Sequence, residues 1–145
     1  MIKRVICVDD DAICLMIEEM VIRQTNMSKE IHLVNNAPDA LSLLNTLHLL
    51  DSNMTIHEST TILFLDLNMP GMDGFAFLDA LSAKKEELSE KLKIVILSSS
   101  IDSKDIIRSK EYEMVINFIS KPLTAAVVEN LQTELTSPST LTYES

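Results

Sequence analysis

Five polar side chains with reactive or charged groups stand at the ends of short apolar runs. Asp9 and Asp10 follow the first of these runs, and Asp66 follows the third. Ser98 ends the fourth run, and Lys121 comes just after the fifth. If the runs are parallel strands, their carboxyl ends meet at one edge of the sheet, where ligands bind. Three carboxylates, a hydroxyl and an ammonium group would then converge on one crevice.

Such a set of groups is suited to phosphoryl transfer. Clustered carboxylates repel one another, and a hard divalent cation held by oxygen ligands offsets that repulsion. Mg²⁺ fits two or three carboxylates supplemented by a backbone carbonyl and several waters. A lysine adds a second positive charge for an anionic group, and a carboxylate oxygen in line acts as the nucleophile. The expected product is an acyl phosphate on an aspartate.

The elements that must position these groups alternate along the chain. The predicted strands are residues 3–8, 30–34, 62–65, 94–97 and 115–119. Helices are predicted at 12–24, from about Pro38, at about 75–81, from an Asp102 cap to about 110, and after a Thr124 cap. This alternation predicts a parallel α/β sheet with helices on both faces. The runs ILFL and IVIL show no polar alternation, as expected for strands buried on both faces.

Apolar residues at helical spacing support the predicted helices. In the first helix they are Ile13, Met16, Ile17, Met20 and Val21, and Asp11 is the predicted N-cap. The stripes of the second, third and last helices are residues 40/44/47, 75/78/81 and 123/127/131/135.

The glycines are concentrated in one loop. The chain has two, Gly71 and Gly74, and both lie in the segment NMPGMDG shortly after Asp66. Glycine adopts positive φ angles at little cost, so this loop has the greatest backbone freedom in the chain. Gly74 can also begin the third helix without crowding the site.

Four segments together resemble the motifs of response regulator receiver domains. They are VDDD at 8–11, LDLNMPGMDG at 65–74, IVILSS at 94–99 and SKP at 120–122. They appear in the order of that family, and the resemblance spans residues 3 to about 135. It implies a flavodoxin-like doubly wound sheet of five parallel strands in the order 2-1-3-4-5, with five helices.

The resemblance implies a role for each acidic residue of the set. Asp66 is expected to be the phosphoacceptor. Asp9, Asp10 and Asp66 are expected to bind Mg²⁺, with the backbone carbonyl of Asn68 as a further ligand.

The remaining site residues have expected roles in binding the phosphoryl group and in switching. Lys121 is expected to pair with a phosphoryl oxygen, and the bond to Pro122 is expected to be cis. Ser98, in place of the commoner threonine, is the expected switch hydroxyl, and Ser99 leaves room for the phosphoryl group. Phe118 occupies the switch aromatic position, without the phenolic hydroxyl that some outputs need.

Composition narrows the class of protein and its location. The 145 residues, 46% hydrophobic and 23% charged, suit one folded domain, and the net charge of −10 disfavours nucleic-acid binding. No apolar run approaches the ~20 residues of a membrane span. Cys7 and Cys14 are predicted to be buried free thiols of a reducing compartment. We therefore expect a cytoplasmic protein without nucleic-acid or membrane partners.

Residues 1–135 are predicted to form one receiver domain, followed by a polar tail at 136–145. So short a tail has no room for an output module, which predicts a stand-alone receiver and not an enzyme acting on a separate substrate. The expected phosphate donor is a histidine kinase or a histidine phosphotransfer protein, docking near the first helix. A target protein or a second copy is expected on the face of the fourth helix, fifth strand and fifth helix. Phosphate relay and docking both remain open.

Three alternatives use parts of the same residue set. An aspartyl phosphatase of the haloacid-dehalogenase type usually has a second acid two positions after its nucleophile, where this chain has Asn68. A flavodoxin-like binder needs a Ser/Thr/Gly-rich loop after the first strand, where this chain has three aspartates. A degenerate receiver that only binds partners would lack members of the set, which is intact here.

Overall fold

Strands and helices alternate through residues 2–51, 53, 60–84 and 91–136, the part of the chain that this computed structural model describes. The strands are β1 (Ile2–Val8), β2 (Glu30–Val34), β3 (Thr60–Asp66), β4 (Leu92–Ser98) and β5 (Val115–Ser120). The helices are α1 (Ala12–Gln24), α2 (Ala37–Leu50), α3 (Gly74–Ser82), α4 (Ser103–Ser109) and α5 (Ala125–Thr136). Each predicted strand and helix is present, with ends shifted by a few residues at most.

The strands form one parallel sheet in the order β2-β1-β3-β4-β5, which confirms the predicted topology. Strand β1 has β2 on one side and β3 on the other, so the chain changes its winding direction there. Ligands of doubly wound sheets bind beside such a point, at the carboxyl ends of the strands.

Apolar layers cover both faces of the sheet. Along β3, Leu63 and Leu65 pack with the side chains of α2 and α3, whereas Ile62 and Phe64 pack with those of α1 and α5. All four side chains have 0% exposure. Burial on both faces accounts for the unbroken apolar run, because neither face needs polar residues.

Polar side chains begin the helices at defined positions. Asp11, Asn36, Asp73 and Asp102 each accept a hydrogen bond from a first-turn amide of α1, α2, α3 and α4 respectively. The Thr124 hydroxyl accepts from the amide of the third residue after it, at 3.3 Å. The predicted caps at positions 11, 102 and 124 are therefore confirmed. Such caps satisfy amides that have no partner within the helix.

Helix α1 buries a different face from its apolar stripe. Its buried residues are Leu15, Glu18 and Ile22. Three stripe residues are largely exposed: Ile13 at 66%, Met16 at 62% and Met20 at 50%. The helix carries apolar side chains nearly all round, so their spacing predicts a helix without defining its inner face. In α5, similarly, Val128 is more deeply buried than the predicted Val127.

The end of α5 lies close to the predicted domain boundary. The helix includes Thr136, one residue beyond the expected end of the domain. The rest of the predicted tail, 137–145, lies outside the described residues, so the division into domain and tail stays a prediction. Among the residues described, no helix has the length and apolar character needed to cross a bilayer.

Candidate functional site

Three carboxylates meet at the carboxyl edge of the sheet. Asp9 directly follows β1 and Asp66 ends β3, and these two side chains are buried, whereas Asp10 is exposed. One carboxylate oxygen from each residue lies within 4.8 Å of the others. The Asp9 carboxylate also accepts a hydrogen bond of 2.9 Å from the Asp11 amide, which orients it. Residues separated by more than fifty positions thus form one acidic cluster.

Lys121 brings a positive charge to this cluster. Its Nζ atom lies 2.7 Å from Asp9 Oδ2 and 3.5 Å from Asp66 Oδ1. The Lys121 amide donates to the Ser98 carbonyl at 2.8 Å, and the bond to Pro122 is cis. The backbone after β5 is therefore fixed to the end of β4, with the ammonium group directed at the carboxylates.

The charges shift the pKa values of the groups at this edge. Burial and the neighbouring Asp9 raise the pKa of Asp66 to about 6, although Lys121 acts in the opposite direction. For Lys121, burial favours a lower pKa, but the hydrogen bond to Asp9 and the charge of Asp66 outweigh it and raise the pKa. The lysine therefore stays charged, while negative charge at Asp66 is only partly compensated.

The predicted switch residues lie beside the cluster without joining it. The buried Ser98 hydroxyl donates to the Ser100 carbonyl at 2.7 Å, so it does not point toward a carboxylate. Ser99 is exposed, and Phe118 is half-buried against the apolar layer of α2 and α3. The Asn68 amide donates to Asp66 Oδ1 at 3.3 Å, and its side chain is exposed.

The loop between β3 and α3 holds the two glycines for different reasons. Gly71 has a φ angle of +78°, which favours glycine, and a Cβ atom there would meet nothing within 4 Å. At Gly74, a Cβ atom would lie 2.7 Å from Leu67 Cα and 3.0 Å from the Asp66 carbonyl oxygen. The start of α3 can therefore approach the site only because residue 74 lacks a side chain.

The sequence profile of the family described as response regulator receiver domain matches residues 5–132. The chain belongs to this family. Receiver domains of two-component signalling share the five-stranded fold seen here. The profile match therefore confirms the family that the four sequence motifs indicated.

Two relatives contain a similar receiver domain within longer proteins. The two-component response regulator ARR2 of Arabidopsis thaliana is 28% identical over 128 residues, which are 88% of this chain and 17% of that protein. Protein-glutamate methylesterase/protein-glutamine glutaminase 1 of Dechloromonas aromatica is 30% identical over 135 residues, 91% of this chain and 34% of that protein. The chain therefore spans about a third of one relative and less of the other.

Solved receiver structures share the fold. A two component response regulator from Cytophaga hutchinsonii is 30% identical, with a TM-score of 0.81 over 93% of this chain and 97% of the other. The receiver domain of the histidine kinase CKI1 from Arabidopsis thaliana, complexed with Mg²⁺, is 19% identical, with a TM-score of 0.76 over 92% and 91% of the two chains. At that lower identity the likeness extends to the fold alone.

The acidic cluster of this receiver domain fits a hard divalent cation. Its ligand atoms are all oxygens, and the pKa of Asp66 is raised by burial and by the nearby charge of Asp9, which a cation would compensate. Receiver domains bind Mg²⁺ at an acidic pocket of this kind. Asp9, Asp10 and Asp66 could hold such a cation.

Glu18 of α1 is an acidic residue near the receiver site that the sequence analysis missed. It is only 3% exposed, and it lines a pocket with Cys14, Ile17 and Lys121 beside the cluster. Burial and the charge of Asp9 raise the pKa of Glu18 to about 8. Glu18 lies three residues after Leu15 and four before Ile22, so the three residues share one face of α1. Choosing Leu15 and Ile22 as the buried face would have predicted that Glu18 points inward.

Proposed function

We propose that this receiver domain accepts a phosphoryl group on Asp66 from a phosphohistidine of a histidine kinase or phosphotransfer protein. The observation that carries the proposal is the buried Asp66 carboxylate, 3.5 Å from the Lys121 ammonium and within 4.8 Å of two further carboxylates. An Asp66 oxygen forms a bond to phosphorus while the P–N bond of the donor breaks. The products are an acyl phosphate on Asp66 and a free histidine on the donor.

Positive charge near Asp66 is needed because the phosphoryl oxygens carry negative charge throughout the transfer. Asp9, Asp10 and Asp66 would hold Mg²⁺, with the Asn68 carbonyl as a fourth protein ligand. When bound, Mg²⁺ compensates the charge on the phosphoryl oxygens. Lys121 would supply the second positive charge, since its ammonium already lies between the carboxylates of Asp9 and Asp66.

The switch would begin with the Ser98 hydroxyl. To bond a phosphoryl oxygen on Asp66, this hydroxyl must leave the Ser100 carbonyl, which it contacts at 2.7 Å. Ser99 would leave room beside the phosphoryl group, and Phe118 would follow Ser98 inward. The rearranged α4–β5–α5 face would contact a target protein or a second copy, whereas the phosphate donor would dock near α1.

The protein would act as a signalling receiver that promotes its own phosphorylation and dephosphorylation. A cytoplasmic location is supported by the free thiols of Cys7 and Cys14, which suit a reducing compartment. We propose no nucleic-acid partner, since a net charge of −10 repels phosphate backbones.

The direct test is incubation with acetyl phosphate and Mg²⁺, followed by intact mass measurement. Wild type should gain one phosphoryl group, and chelation of the metal should prevent the gain. The Asp66→Asn variant should gain none, whereas Asp39→Asn, at an exposed aspartate of α2, should behave as wild type. A wild type that stays unmodified with metal present would favour the degenerate receiver. Sustained hydrolysis of a phosphate ester without a stable acyl phosphate would favour the phosphatase.

A further inference from the structure

Helix α4 is weakly buried for an element next to the proposed switch. Of its seven residues only Ser109, at the carboxyl end, is buried. Ile107 is 66% exposed, and Ile101, in the loop before the helix, is 61% exposed. Apolar burial therefore contributes little to holding α4 in place, and other contacts must fix its position.

Four side chains connect the carboxyl end of α4 to α3. The Arg108 guanidinium of α4 lies 4.1 Å from the ring centroid of Phe75, in the first turn of α3. Its Nη2 atom is 3.9 Å from Asp79 Oδ2. Tyr112, just beyond α4, donates a hydrogen bond of 2.5 Å to Asp79 Oδ1. The rings of Phe75 and Tyr112 are stacked, with centroids 6.4 Å apart.

We infer that α4 is held in the position described here by a clamp that opposes the switch, formed by Phe75, Asp79, Arg108 and Tyr112. Arg108 and Tyr112 each contact the same two residues of α3, Phe75 and Asp79. A ring face and a carboxylate together constrain a guanidinium group more than either partner alone. The clamp thus fixes α4 at the end remote from Ser98.

The position of the clamp relates it to both ends of the proposed switch. Phe75 follows Gly74, whose backbone lies against Asp66 and Leu67. The amino end of α4 follows the loop that begins after Ser98 and contains Ser100. If phosphorylation of Asp66 moves this loop, α4 has to move relative to its clamped end. Weakening the clamp should therefore favour the switched position of α4 and speed phosphorylation. The reason is that a phosphoryl group shifts a two-state equilibrium more readily when the resting state is less stable.

The test uses two variants of the full chain and one control. Arg108→Ala removes the contacts to Phe75 and Asp79, whereas Tyr112→Phe removes only the hydroxyl and keeps the ring. Arg23→Ala is the control, because Arg23 forms a similar surface pair, 2.8 Å from Glu19 on α1. In the unphosphorylated protein, amide hydrogen exchange of α4 should become about two- to five-fold faster in Arg108→Ala and less so in Tyr112→Phe. The control should leave α4 unchanged.

The second measurement is the rate of phosphorylation by acetyl phosphate, and this part rests on the proposed function. Arg108→Ala should be phosphorylated about two- to five-fold faster than wild type. Unchanged exchange of α4 in both variants would show that the clamp does not hold the helix. Faster exchange with an unchanged phosphorylation rate would overturn its opposition to the switch. If wild type accepts no phosphoryl group, the proposed function and the switching role fail together, while the exchange data still test the clamp.

Discussion

At the residue scale, the position of one ammonium group determines how charge is shared at the site. Lys121 Nζ is closer to Asp9 Oδ2, at 2.7 Å, than to Asp66 Oδ1, at 3.5 Å. The ammonium group therefore pairs more closely with Asp9 than with Asp66, and burial with the nearby Asp9 raises the pKa of Asp66 to about 6. The proposed nucleophile is the less compensated of the two buried aspartates.

This distribution of charge predicts a pH dependence for phosphorylation. Because the pKa of Asp66 is raised from 3.8 to about 6, the carboxyl group binds a proton below about pH 6 and loses its nucleophilic charge. At limiting Mg²⁺, the initial rate with acetyl phosphate should fall roughly ten-fold per pH unit below that value. Saturating Mg²⁺ should move the midpoint to lower pH, since a cation favours the carboxylate. A rate that stays constant down to about pH 4.5 at limiting metal would contradict the assignment.

Removal of the ammonium group should separate metal binding from switching. The Lys121→Ala variant should bind Mg²⁺ at least as tightly as wild type, because the substitution removes the ammonium group that pairs with Asp9. It should nevertheless lose most of the phosphorylation-dependent change in hydrogen exchange of α4 and β5. Lys29→Ala, which removes an exposed lysine, is the matched control. Unaltered switching in Lys121→Ala would refute the proposed role of this residue.

At the element scale, strands were easier to predict than the inward face of α1. The aspartates at strand ends could be predicted to meet because parallel strands present their carboxyl ends at one edge, whatever the side-chain detail. The face of α1 could not, because Ile13 and Met16 look as suitable for burial as Leu15. An acidic residue such as Glu18 further disfavoured the correct stripe, since isolated buried carboxyl groups are rare.

The buried carboxyl group of Glu18 should lower stability as the pH rises. Its pKa is raised from 4.5 to about 8, so the folded state binds more protons than the unfolded state between these values. The free energy of unfolding contributed by this group therefore decreases from about pH 4.5 to about pH 8. Glu18→Gln should remove the decrease and raise the free energy of unfolding at pH 8 by roughly 4 kcal/mol.

Urea unfolding of both proteins at about pH 5 and pH 8 measures this effect. The difference between the variant and wild type should be small at the lower pH and large at the higher one. Glu19→Gln, at the neighbouring half-buried position of the same helix, is the matched control. Equal effects of Glu18→Gln at the two pH values would contradict the raised pKa.

At the scale of the whole molecule, buried charges lie at opposite edges of the sheet. At the amino edge, Arg4 is 3% exposed and donates to Glu30 at 2.7 Å, to Asp51 at 2.5 Å and to Thr61 at 3.3 Å. Each acceptor belongs to a different element, so Arg4 connects β1 to β2, to the end of α2 and to β3. At the carboxyl edge, Lys121 pairs with two of the three clustered carboxylates, those of Asp9 and Asp66. One edge is thus paired internally, and the other has an excess of negative charge.

That excess predicts that Mg²⁺ stabilises the whole fold. A ligand at about 100 times its Kd adds about 2.7 kcal/mol to the free energy of unfolding, which should raise the Tm of a domain of this size by roughly 5–10 °C. Asp10→Asn should abolish most of this shift by removing a ligand. Without metal, the same variant should be no less stable than wild type, because Asp10 is exposed and adds to the repulsion.

Thermal unfolding with Mg²⁺ and with a chelator measures both effects. Asp102→Asn is a suitable control because this exposed aspartate lies outside the acidic cluster and the amide replacement can still cap α4. Its shift with Mg²⁺ should equal that of wild type. A shift of equal size in Asp10→Asn would exclude Asp10 as a ligand.

Because Gly74 has no side chain, the end of β3 and the start of α3 are in direct backbone contact and should move together. A methyl group there would sit 2.7 Å from Leu67 Cα, so the strand end and the helix start touch with no slack between them. Closely packed interiors resist compression and transmit strain. Displacement of the strand end toward α3 is consequently passed on to the next residue, Phe75, over whose ring Arg108 lies. A series of direct contacts, from Asp66 through Gly74 and Phe75 to Arg108, thus connects the proposed phosphoacceptor to the exposed helix α4.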